Sequence, residues 1–552
     1  MAYLLFPGRH LLTTAFQQNY LWDILRLPVS KLDLVGDYKG DSNDKITHII
    51  FAVTSANQEN SRYNPVPFYM RALGLDRFSK EYRESLGVQC DIVAIPHFNP
   101  NEHFADYILK EVSERTESNI KLTNKNTVVL SSTPTMIDMY NKLGFAVLPA
   151  EYDVANKLLK SDTPIEYIKK LVEVGNSWSD NQGLVDGVSR STIQLWKDFP
   201  EITAKIVRLW RDPLLTESGS LTETRNYSTY AIGMGHTNLL LSKYKDIKES
   251  LVPGKIVDEG CADGALMTLL AKDFTDSDII GIEITSEFTA RCLERQRAGE
   301  FGGTFVYFHQ RNLMEKIFED SSIDTTICNS TTHEIWSYGD REESLLNYID
   351  LKQKQLNKGG RLVIRDVVGP ENKDSIVYME LNSSDGSNED ILKVCDSQDS
   401  LQEHLNGLST HARFVRFAED YLRGMRENGK RGEDTKIKYT EEILDNKTYI
   451  VLKLKDAMEF MTKKDYTDNW NSELNEEFAF WSFNEWKNAL KNAGFRIIEN
   501  PNEMEKSSRA FAIPWIVENR FNNKVALYNK EGSTLTSIPY PETNMVLIGE
   551  KI

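Results

Sequence analysis

The chain has 552 residues, of which 40% are hydrophobic and 10% aromatic, and its formal net charge is −17. That length exceeds what one hydrophobic core supports, so two or three domains are expected, and the composition excludes a disordered chain. The negative charge disfavours binding to nucleic-acid backbones, and every apolar run is much shorter than the roughly 20 residues that span a bilayer. Five widely spaced cysteines without a CxxC pair, and no secretory signal pattern, predict reduced thiols, no metal site and a cytoplasmic location.

The first 190 residues alternate short apolar runs with helical stretches. Such alternation predicts a parallel, doubly wound α/β sheet. Strands are predicted at residues 3–6, 48–55, 90–97, 126–132 and 145–151, and helices at 65–86 and 134–144.

Three segments of this region resemble a known family. They are FPGRHLLTTAFQ (residues 6–17), TSANQENSRYNPVPFYMR (54–71) and SDTPIEYIKKLVEVGNSW (161–178). In this order they resemble nucleotidyltransferases of the nicotinamide-nucleotide adenylyltransferase kind. The resemblance implies a nucleotidyltransferase-like Rossmann domain over residues 1–190, in which a helix N-terminus favours the phosphates of a nucleotide.

The charged positions of that family are replaced in this chain. Thr14 and Gln17 stand where the family has two phosphate-handling histidines, and Glu166 stands where it has an arginine. A carboxylate beside a triphosphate would repel it, so we predict a retained fold with a degenerate site. A bifunctional enzyme with working nucleotidyl transfer stays open as an alternative. An anion could still be held by Arg9, His10 and Arg71.

Residues 191–235 are aromatic and helical in pattern, which predicts a helical connector. Its last part, TETRNYSTYAIGMG (residues 222–235), directly precedes the next domain. A segment in that position can fold over a bound ligand, so Tyr227 is a candidate substrate-binding residue. Packing within the connector is the alternative for its aromatic residues.

The stretch KIVDEGCADGALMTLLAKDF (residues 255–274) carries the clearest chemical signal. An apolar strand ends at Asp258, a glycine-containing loop follows, and a helix is predicted from about Ala265. Glycines in such a loop let the backbone approach a ligand closely. The next strand, SDIIGIEIT (277–285), contains Glu283, whose carboxylate could accept hydrogen bonds from ribose hydroxyls.

Together with SIDTTICNSTTHEI (residues 322–335) and LNKGGRLVIRD (356–366), these pieces resemble class I S-adenosylmethionine-dependent methyltransferases. The resemblance implies S-adenosylmethionine as cofactor and a second doubly wound parallel sheet. Ala262 stands where the middle glycine of the loop is usual, and Asn312 where an adenine-contacting Asp is usual. The implied cofactor-binding residues are Asp258, Gly260, Ala262, Asp263, Gly264, Glu283, Asn312, Leu313 and Asn329.

A nicotinamide-dependent dehydrogenase is the competing interpretation of the loop. Its pyrophosphate would face Asp263, which is electrostatically unfavourable. S-adenosylmethionine has no phosphate and carries positive charge, so an acidic loop suits it better. Charge therefore favours the methyl donor.

The transferred methyl group is expected near residues 329–336, at the exit of the fourth strand. Methyl transfer requires mainly that donor and acceptor are positioned in line. An oxygen acceptor also needs a base, and His333 and Glu334 are the catalytic candidates. The alternatives are that His333 only shapes the pocket and Glu334 pairs locally; a nitrogen or carbon acceptor would need no strong base.

The C-terminal part contains a predicted closing helix and sixth strand, FNEWKNALKNAGFRIIE (residues 483–499), and a seventh strand at 544–552. The roughly 110 residues from about 372 to 481 exceed any ordinary loop, so a mainly helical insertion that caps the substrate pocket is predicted. Arg413 and Arg416 would share one helix face there and are candidate substrate-binding residues. A surface salt-bridge face is the alternative.

The predicted organisation is thus a nucleotidyltransferase-like domain (1–190), a connector (191–235) and a methyltransferase domain (236–552). The predicted function is methylation of a small or nucleotide-like metabolite. The alternatives are an RNA (tRNA) methyltransferase with an N-terminal docking domain, the bifunctional enzyme, and a non-catalytic nucleotide sensor. We expect a small-molecule partner and no membrane; the oligomeric state is not predicted.

Overall fold

The computed structural model describes residues 1–98, 102–212, 215, 216, 219, 237–500 and 502–552. The chain divides into two compact units, Met1–Ser220 and Leu221–Ile552. Among the described residues, every helix is too short or too polar to cross a bilayer.

The first unit is built on a five-stranded sheet with the strand order β3-β2-β1-β4-β5. All neighbouring strands in it are parallel, as the alternation of strands and helices predicted. The strands are β1 (Ala2–Gly8), β2 (Ile46–Val53), β3 (Gln89–Ala94), β4 (Thr127–Leu130) and β5 (Ala146–Leu148). A small hairpin, β6 (Tyr152–Asp153) and β7 (Leu158–Leu159), follows.

Eight helices accompany this sheet within the described part of the unit. They are α1 (Ala15–Ile24), α2 (Phe68–Leu86), α3 (Phe104–Arg115), α4 (Pro134–Lys142), α5 (Pro164–Val174), α6 (Gln182–Gly187), α7 (Arg190–Asp198) and α8 (Pro200–Arg211). The central strands are apolar along their length because helices cover both faces, so Leu4, Leu5 and Ile50 are fully buried. Helices α7 and α8, in the stretch predicted as a connector, contribute Trp196 and Ile206 to the core of this unit.

The second unit is built on a sheet with the strand order β10-β9-β8-β11-β12-β20-β16, with β17 also pairing with β20. The first five of these strands are parallel, and β20 is antiparallel to its neighbours. The strands are β8 (Lys255–Glu259), β9 (Asp278–Glu283), β10 (Val306–Gln310), β11 (Ile323–Asn329), β12 (Leu356–Val367), β16 (Phe495–Ile497), β17 (Arg509–Phe511) and β20 (Asn544–Lys551). The predicted sixth and seventh strands correspond to β16 and β20.

Six helices belong to this sheet. They are α9 (Thr237–Ile247), α10 (Ala265–Asp273), α11 (Ser286–Arg297), α12 (Thr332–Tyr338), α13 (Glu342–Gln355) and α19 (Phe483–Asn492). Helix α10 begins at the predicted residue, Ala265, and α19 is the predicted closing helix.

The predicted insertion is a subdomain, here called the cap; helices predominate within residues 372–481, as predicted, but they accompany an antiparallel sheet that was not predicted. Its centre is an antiparallel five-stranded sheet with the order β14-β15-β13-β18-β19. The strands are β13 (Ile376–Leu381), β14 (Tyr439–Leu444), β15 (Lys447–Lys453), β18 (Val525–Glu531) and β19 (Thr534–Ile538). The helices are α14 (Gln398–Gly407), α15 (Thr410–Asp420), α16 (Arg423–Glu427), α17 (Leu454–Lys463) and α18 (Trp470–Glu473).

The cap strands escaped prediction because two of them lie beyond the closing helix. Strands β18 and β19 belong to the cap although they follow α19 and β16, so the cap comes from two separate stretches of chain. In β13 the residues at 377, 379 and 381 are buried and alternate with more exposed ones, the pattern of a sheet covered on one face. The core of the cap is rich in aromatic residues, of which Phe414, Phe417 and Trp470 are fully buried.

Candidate active site

The carboxyl ends of β8, β9 and β11 meet at one edge of the second sheet. Glu259 pairs in register with Ile282 on one side and Cys328 on the other, so Asp258, Glu283 and Asn329 lie at the same edge. The sheet order reverses between β8 and β11, and ligands of open α/β sheets bind at such a reversal.

The loop after β8 needs a backbone that only small residues adopt easily. Gly260 and Gly264 have φ values of 72° and 78°, and a Cβ on Gly260 would lie 2.5 Å from the Thr331 hydroxyl oxygen. Ala262 also has a positive φ, 47°, which explains why glycine is usual there and costs about 1–2 kcal/mol. Its N–H donates to Glu283 Oε2 at 3.1 Å, which helps to hold the turn.

Asp258 is a buried carboxylate of the site that lacks an ion-pair partner in the described part of the chain. Its side chain is 2% exposed, and its Oδ2 atom has no hydrogen-bond partner among the described residues. Burial, reinforced by the charges of Glu259 and Glu283, raises its pKa to about 7. The neighbouring Glu259, by contrast, faces the other side of the sheet and is paired with Lys352 at 2.5 Å. A positively charged ligand group would therefore be stabilised at Asp258.

Glu283 adds a second buried carboxylate. Its Oε1 accepts from Thr285 N at 2.8 Å, and its Oε2 accepts from Ala262 N. Burial raises its pKa to about 7 although the hydrogen bonds of Thr285 act in the opposite direction, and the charge of Glu334 raises it further. That effect places the half-buried Glu334, on the first turn of α12, at this edge of the site.

Asp263, a predicted cofactor-binding residue, is engaged by protein groups on both carboxylate oxygens. Its Oδ2 is paired with Arg295 of α11 at 2.6 Å, and its Oδ1 accepts from Ala265 N at the start of α10. The acidity that distinguishes this site from a pyrophosphate site therefore comes from Asp258 and Glu283.

Asn312 lies in the loop beside Glu283. Arg311 N donates to Glu283 O at 3.0 Å, and Asn312 Oδ1 accepts from Met314 N at 3.0 Å, which fixes the orientation of the amide group. This position fits the predicted contact with a base edge.

Leu313 and Asn329 complete the predicted cofactor set. The Leu313 carbonyl accepts from Lys352 Nζ at 3.0 Å, and its side chain is half-buried. Asn329 is the last residue of β11, half-buried at the carboxyl edge of the sheet.

His333 is enclosed by two carboxylates, one of them from the cap. Its Nδ1 lies 2.8 Å from Asp366 Oδ1, and its Nε2 lies 3.5 Å from Glu476 Oε2. Burial lowers its pKa, but the charges and hydrogen bonds of the two carboxylates outweigh this and raise it well above the ordinary value. An imidazole that keeps its proton at neutral pH does not fit the predicted role of a base.

Asp366 is an organising residue that the sequence analysis missed. Its Oδ2 accepts from Thr332 N at 2.7 Å and from the Thr332 hydroxyl at 2.6 Å, so it caps the N-terminus of α12. Burial alone would raise its pKa, but the His333 charge and the hydrogen bonds lower it to about 2. Its position at the end of β12 was the available signal. Asn329 of β11 pairs in register with Arg365 of β12, so the next residue, Asp366, lies at the same edge of the sheet.

Lys243 was missed as well. It lies on α9, and its Nζ donates to the Ser330 hydroxyl at 3.1 Å, one residue beyond the end of β11. The side chain is buried; this burial, together with the charge of Arg365, lowers its pKa to about 8, although the Asp366 charge opposes the shift. Nothing in the local sequence distinguishes this lysine from others on an amphipathic helix.

The predicted substrate-binding arginines are engaged within the cap. Arg413 is paired with Asp465 at 3.2 Å and donates to the Leu405 carbonyl at 3.0 Å. Arg416 is paired with Asp420 at 2.5 Å. These contacts indicate that both side chains stabilise the cap, and they do not support a role in substrate binding. The third candidate, Tyr227, lies outside the described residues.

The corresponding edge of the first unit has a different character. Thr14 caps α1: its Oγ1 accepts from Gln17 N at 3.1 Å, and Thr14 N donates back to Gln17 Oε1. The Gln17 amide nitrogen donates to Glu151 Oε1 at 2.9 Å. The positions predicted to replace two histidines therefore form a closed polar network that includes a buried carboxylate.

The basic residues of this edge are also engaged. Arg71 is 2% exposed and donates to the carbonyls of Arg9, Thr54 and Ser55 at 2.9–3.0 Å. His10 Nε2 lies 3.0 Å from the Phe6 carbonyl, and burial lowers its pKa to about 4. Neither group presents a free cation to an anion. Glu166, at the predicted arginine position, pairs with Lys169 on the same helix.

Comparisons with known proteins bear on the second unit. Residues 253–430 match the family model described as "Methyltransferase domain". Similar solved structures include an S-adenosylmethionine-dependent methyltransferase from Clostridium acetobutylicum (11% identity, 59% of this chain and 99% of that chain, TM-score 0.28). Another is geranyl diphosphate C-methyltransferase from Streptomyces coelicolor in complex with Mg²⁺, geranyl diphosphate and S-adenosylhomocysteine (12% identity, 62% and 89%, TM-score 0.24). No curated protein matches the chain significantly.

The second unit thus contains a methyltransferase domain, as its motifs predicted. The match ends within the cap, and the first unit lies outside it. The low TM-scores add nothing to this assignment, which depends on the family match. The resemblance of the first unit to nucleotidyltransferases stays a prediction.

Proposed function

We propose that the second unit binds S-adenosylmethionine and transfers its methyl group to a small or nucleotide-like metabolite. The observation that carries the proposal is Asp258, a buried carboxylate with an unpartnered oxygen at the point where the sheet order reverses. A ligand with a positively charged group supplies the missing partner, whereas a dinucleotide pyrophosphate would be repelled.

The residues present fit that cofactor. Asp258 would hold its ammonium group, Glu283 its ribose hydroxyls and Asn312 its adenine, with Gly260 and Gly264 letting the backbone approach. When bound, S-adenosylmethionine supplies a methyl group on a positively charged sulfur, which keeps the electron pair of the broken bond as the acceptor's lone pair forms the new one. The protein's task is then to align the acceptor and to accept any proton that it loses.

For that proton we propose Lys243 rather than His333. Burial lowers the pKa of Lys243 to about 8, so a useful fraction of its Nζ is unprotonated near neutrality. It lies against Ser330, at the exit of β11 where the acceptor is expected. His333 holds its proton between Asp366 and Glu476 and fixes the start of α12. A nitrogen or carbon acceptor that loses no proton would leave Lys243 without this task.

For the first unit we propose a non-catalytic role. The Gln17–Glu151 hydrogen bond and the engaged Arg71 support it, because a triphosphate would meet a carboxylate and no free guanidinium.

The test is cofactor binding followed by label transfer. The full chain is titrated with S-adenosylmethionine in a calorimeter, then incubated with methyl-labelled cofactor and a cell extract that is afterwards separated by molecular size. We expect micromolar-range binding and label in the small-molecule fraction. Label in RNA or protein would contradict the metabolite proposal, and binding without any transfer would favour the sensor.

A further inference from the structure

The second unit contains a cavity of about 380 Å³ between α12 and the cap. This volume lies within the range of small-molecule sites. Trp336 of α12 and Phe480 of the cap connection contribute apolar walls. The basic side chains that line the cavity are Arg341, Lys373, Lys436, Lys438, Lys453 and Lys455.

Two of these six cations have no carboxylate within ion-pair distance in the described part of the chain. They are Lys438, which is exposed, and Lys455, which is half-buried. The other four are paired with Glu477, Glu485, Glu433 and Asp374. The two free ammonium groups are notable in a chain whose net charge is −17.

Three of the five acidic side chains that line the cavity, Asp374, Glu459 and Glu477, are ion-paired, whereas Asp434 and Asp456 have no ion pair in the described part of the chain. Glu459 Oε2 is paired with Lys463 at 2.7 Å, and its Oε1 accepts two backbone N–H groups. Glu477 is shared by Arg341 and Arg431. Asp456 lies beside Lys455, and burial raises its pKa to about 6 although the lysine charge opposes this. A half-buried ammonium in these surroundings is stabilised by an anionic partner.

The cavity adjoins the reaction site through one helix. Trp336 follows His333 by three residues on α12, about 4.5 Å along the helix axis. Phe478 packs on His333 with ring centroids 5.0 Å apart, and Phe480 stacks on Trp336 at 4.7 Å. The same short stretch of chain therefore borders both the exit of β11 and the cavity.

We propose that the methyl acceptor is a small organic anion whose carboxylate or phosphate is bound by Lys438 and Lys455 in this cavity. The proposal rests on the function proposed above and names the class of its substrate. The anionic group of the substrate would supply an ion-pair partner for both ammonium groups, while the apolar walls at Trp336 and Phe480 would contact the carbon skeleton of the substrate.

The experiment compares wild type with a double variant, Lys438→Met with Lys455→Met. Calorimetry first measures S-adenosylmethionine binding, which we expect to stay within twofold because the cofactor residues are untouched. Methyl-labelled cofactor and a small-molecule extract are then added, and the labelled product is passed over an anion exchanger at pH 7.5. We expect a retained product from wild type and at least tenfold less transfer by the double variant at limiting extract.

Two controls keep the result specific. Lys121→Met with Lys125→Met removes two exposed charges from the first unit and should transfer like wild type, and Lys438→Arg with Lys455→Arg should restore most of the transfer. Phosphatase treatment separates the two anion sources: a phosphate ester loses its retention, a carboxylate keeps it. A labelled product that is not retained, transfer by the double variant at the wild-type rate, or cofactor binding without any labelled small molecule would each overturn the proposal. Absence of cofactor binding in wild type would instead refute the proposed function.

Discussion

Two parallel sheets in one chain share the strand order 3-2-1-4-5 around the point where a ligand is expected, yet their edges are built oppositely. In the first unit Thr14, Gln17 and Glu151 satisfy one another, and Arg71 is bonded to backbone carbonyls. In the second unit Asp258 keeps an unpartnered oxygen, and its pKa is raised to about 7.

The difference teaches that fold and site are separable properties. At the first edge Thr14, Gln17 and Glu151 satisfy one another, and Arg71 keeps one unpartnered atom, Nε, beside its three bonds to backbone carbonyls. The second edge stores unfavourable electrostatic free energy that a cation can relieve, the usual arrangement of a binding site. Substitutions at one sheet edge at a time test whether the two edges differ in this way.

The largest effect is expected from Asp366→Asn. This change removes the charge that holds the His333 imidazolium and weakens the cap of α12, so the second unit should lose about 3–5 kcal/mol of unfolding free energy. The Asp366 contribution is present above pH 3.8 and is lost as the pH falls through its lowered pKa of about 2. The His333 contribution is full below pH 6.5 and is lost as the pH rises through its raised pKa.

Urea unfolding at pH 5.5 and at pH 9 measures this prediction, and the difference from wild type should be larger at the lower pH. The matched control is Asp320→Asn, which removes an exposed ion pair with Lys316 and should cost far less, because exposed ion pairs contribute little to stability. Equal losses in the two variants would show that the buried pair contributes nothing special.

Asp258→Asn should have effects of opposite sign on binding and on stability. Loss of the carboxylate should weaken S-adenosylmethionine binding at least 100-fold, about 3 kcal/mol. Folding raises the pKa of the Asp258 carboxyl from 3.8 to about 7, so its charge destabilises the folded state increasingly from pH 3.8 upward and fully above about pH 7. The ligand-free variant should therefore be about 1–3 kcal/mol more stable than wild type at pH 8. This gain should vanish as the pH falls towards 4. Calorimetry measures the affinity for S-adenosylmethionine and thermal unfolding measures the stability, with the exposed Glu287→Gln as control. An Asp258→Asn variant that is less stable than wild type and still binds the cofactor would contradict the proposed role of Asp258.

The affinity for the cofactor should fall with pH. Because Asp258 must be ionised to pair with a cation, the dissociation constant for S-adenosylmethionine should rise about fivefold between pH 7 and pH 6. Titrations in one buffer series measure the slope. In Asp258→Asn this slope should be reduced to whatever Glu283 contributes, and a flat wild-type profile would exclude the raised pKa.

The smallest effects belong to the first unit. Thr14→Ala removes the cap of α1 and should lower the stability of that unit by about 1 kcal/mol. ATP with Mg²⁺ should leave the unfolding of both wild type and Thr14→Ala unchanged, because the Glu151 carboxylate bound to Gln17 would repel the triphosphate. A shift of the wild-type transition with ATP concentration would reopen nucleotide binding at this edge.

Local sequence patterns predicted much of the second sheet and its glycine loop. The strand ending near Asp258, the helix start at Ala265 and the position of Glu283 follow from hydrophobic period and loop chemistry, which are local. The enclosure of His333 between two carboxylates was not predicted because its Glu476 partner lies in the cap, far along the chain. The ion pair of Asp263 was not predicted because its partner Arg295 lies on the next helix. The cap sheet was missed because its strands pair with distant partners and alternate only weakly.

The discontinuity of the cap has a consequence for how the protein is made. Strand β13 lies between β15 and β18, and Tyr378 pairs in register with Tyr528, so the cap sheet closes only when nearly the whole chain has been synthesised. Until then the apolar side chains beneath it, such as Phe414 and Trp470, are exposed to solvent or to other chains. A chain that has not yet supplied β18 therefore leaves this apolar surface uncovered, which favours aggregation.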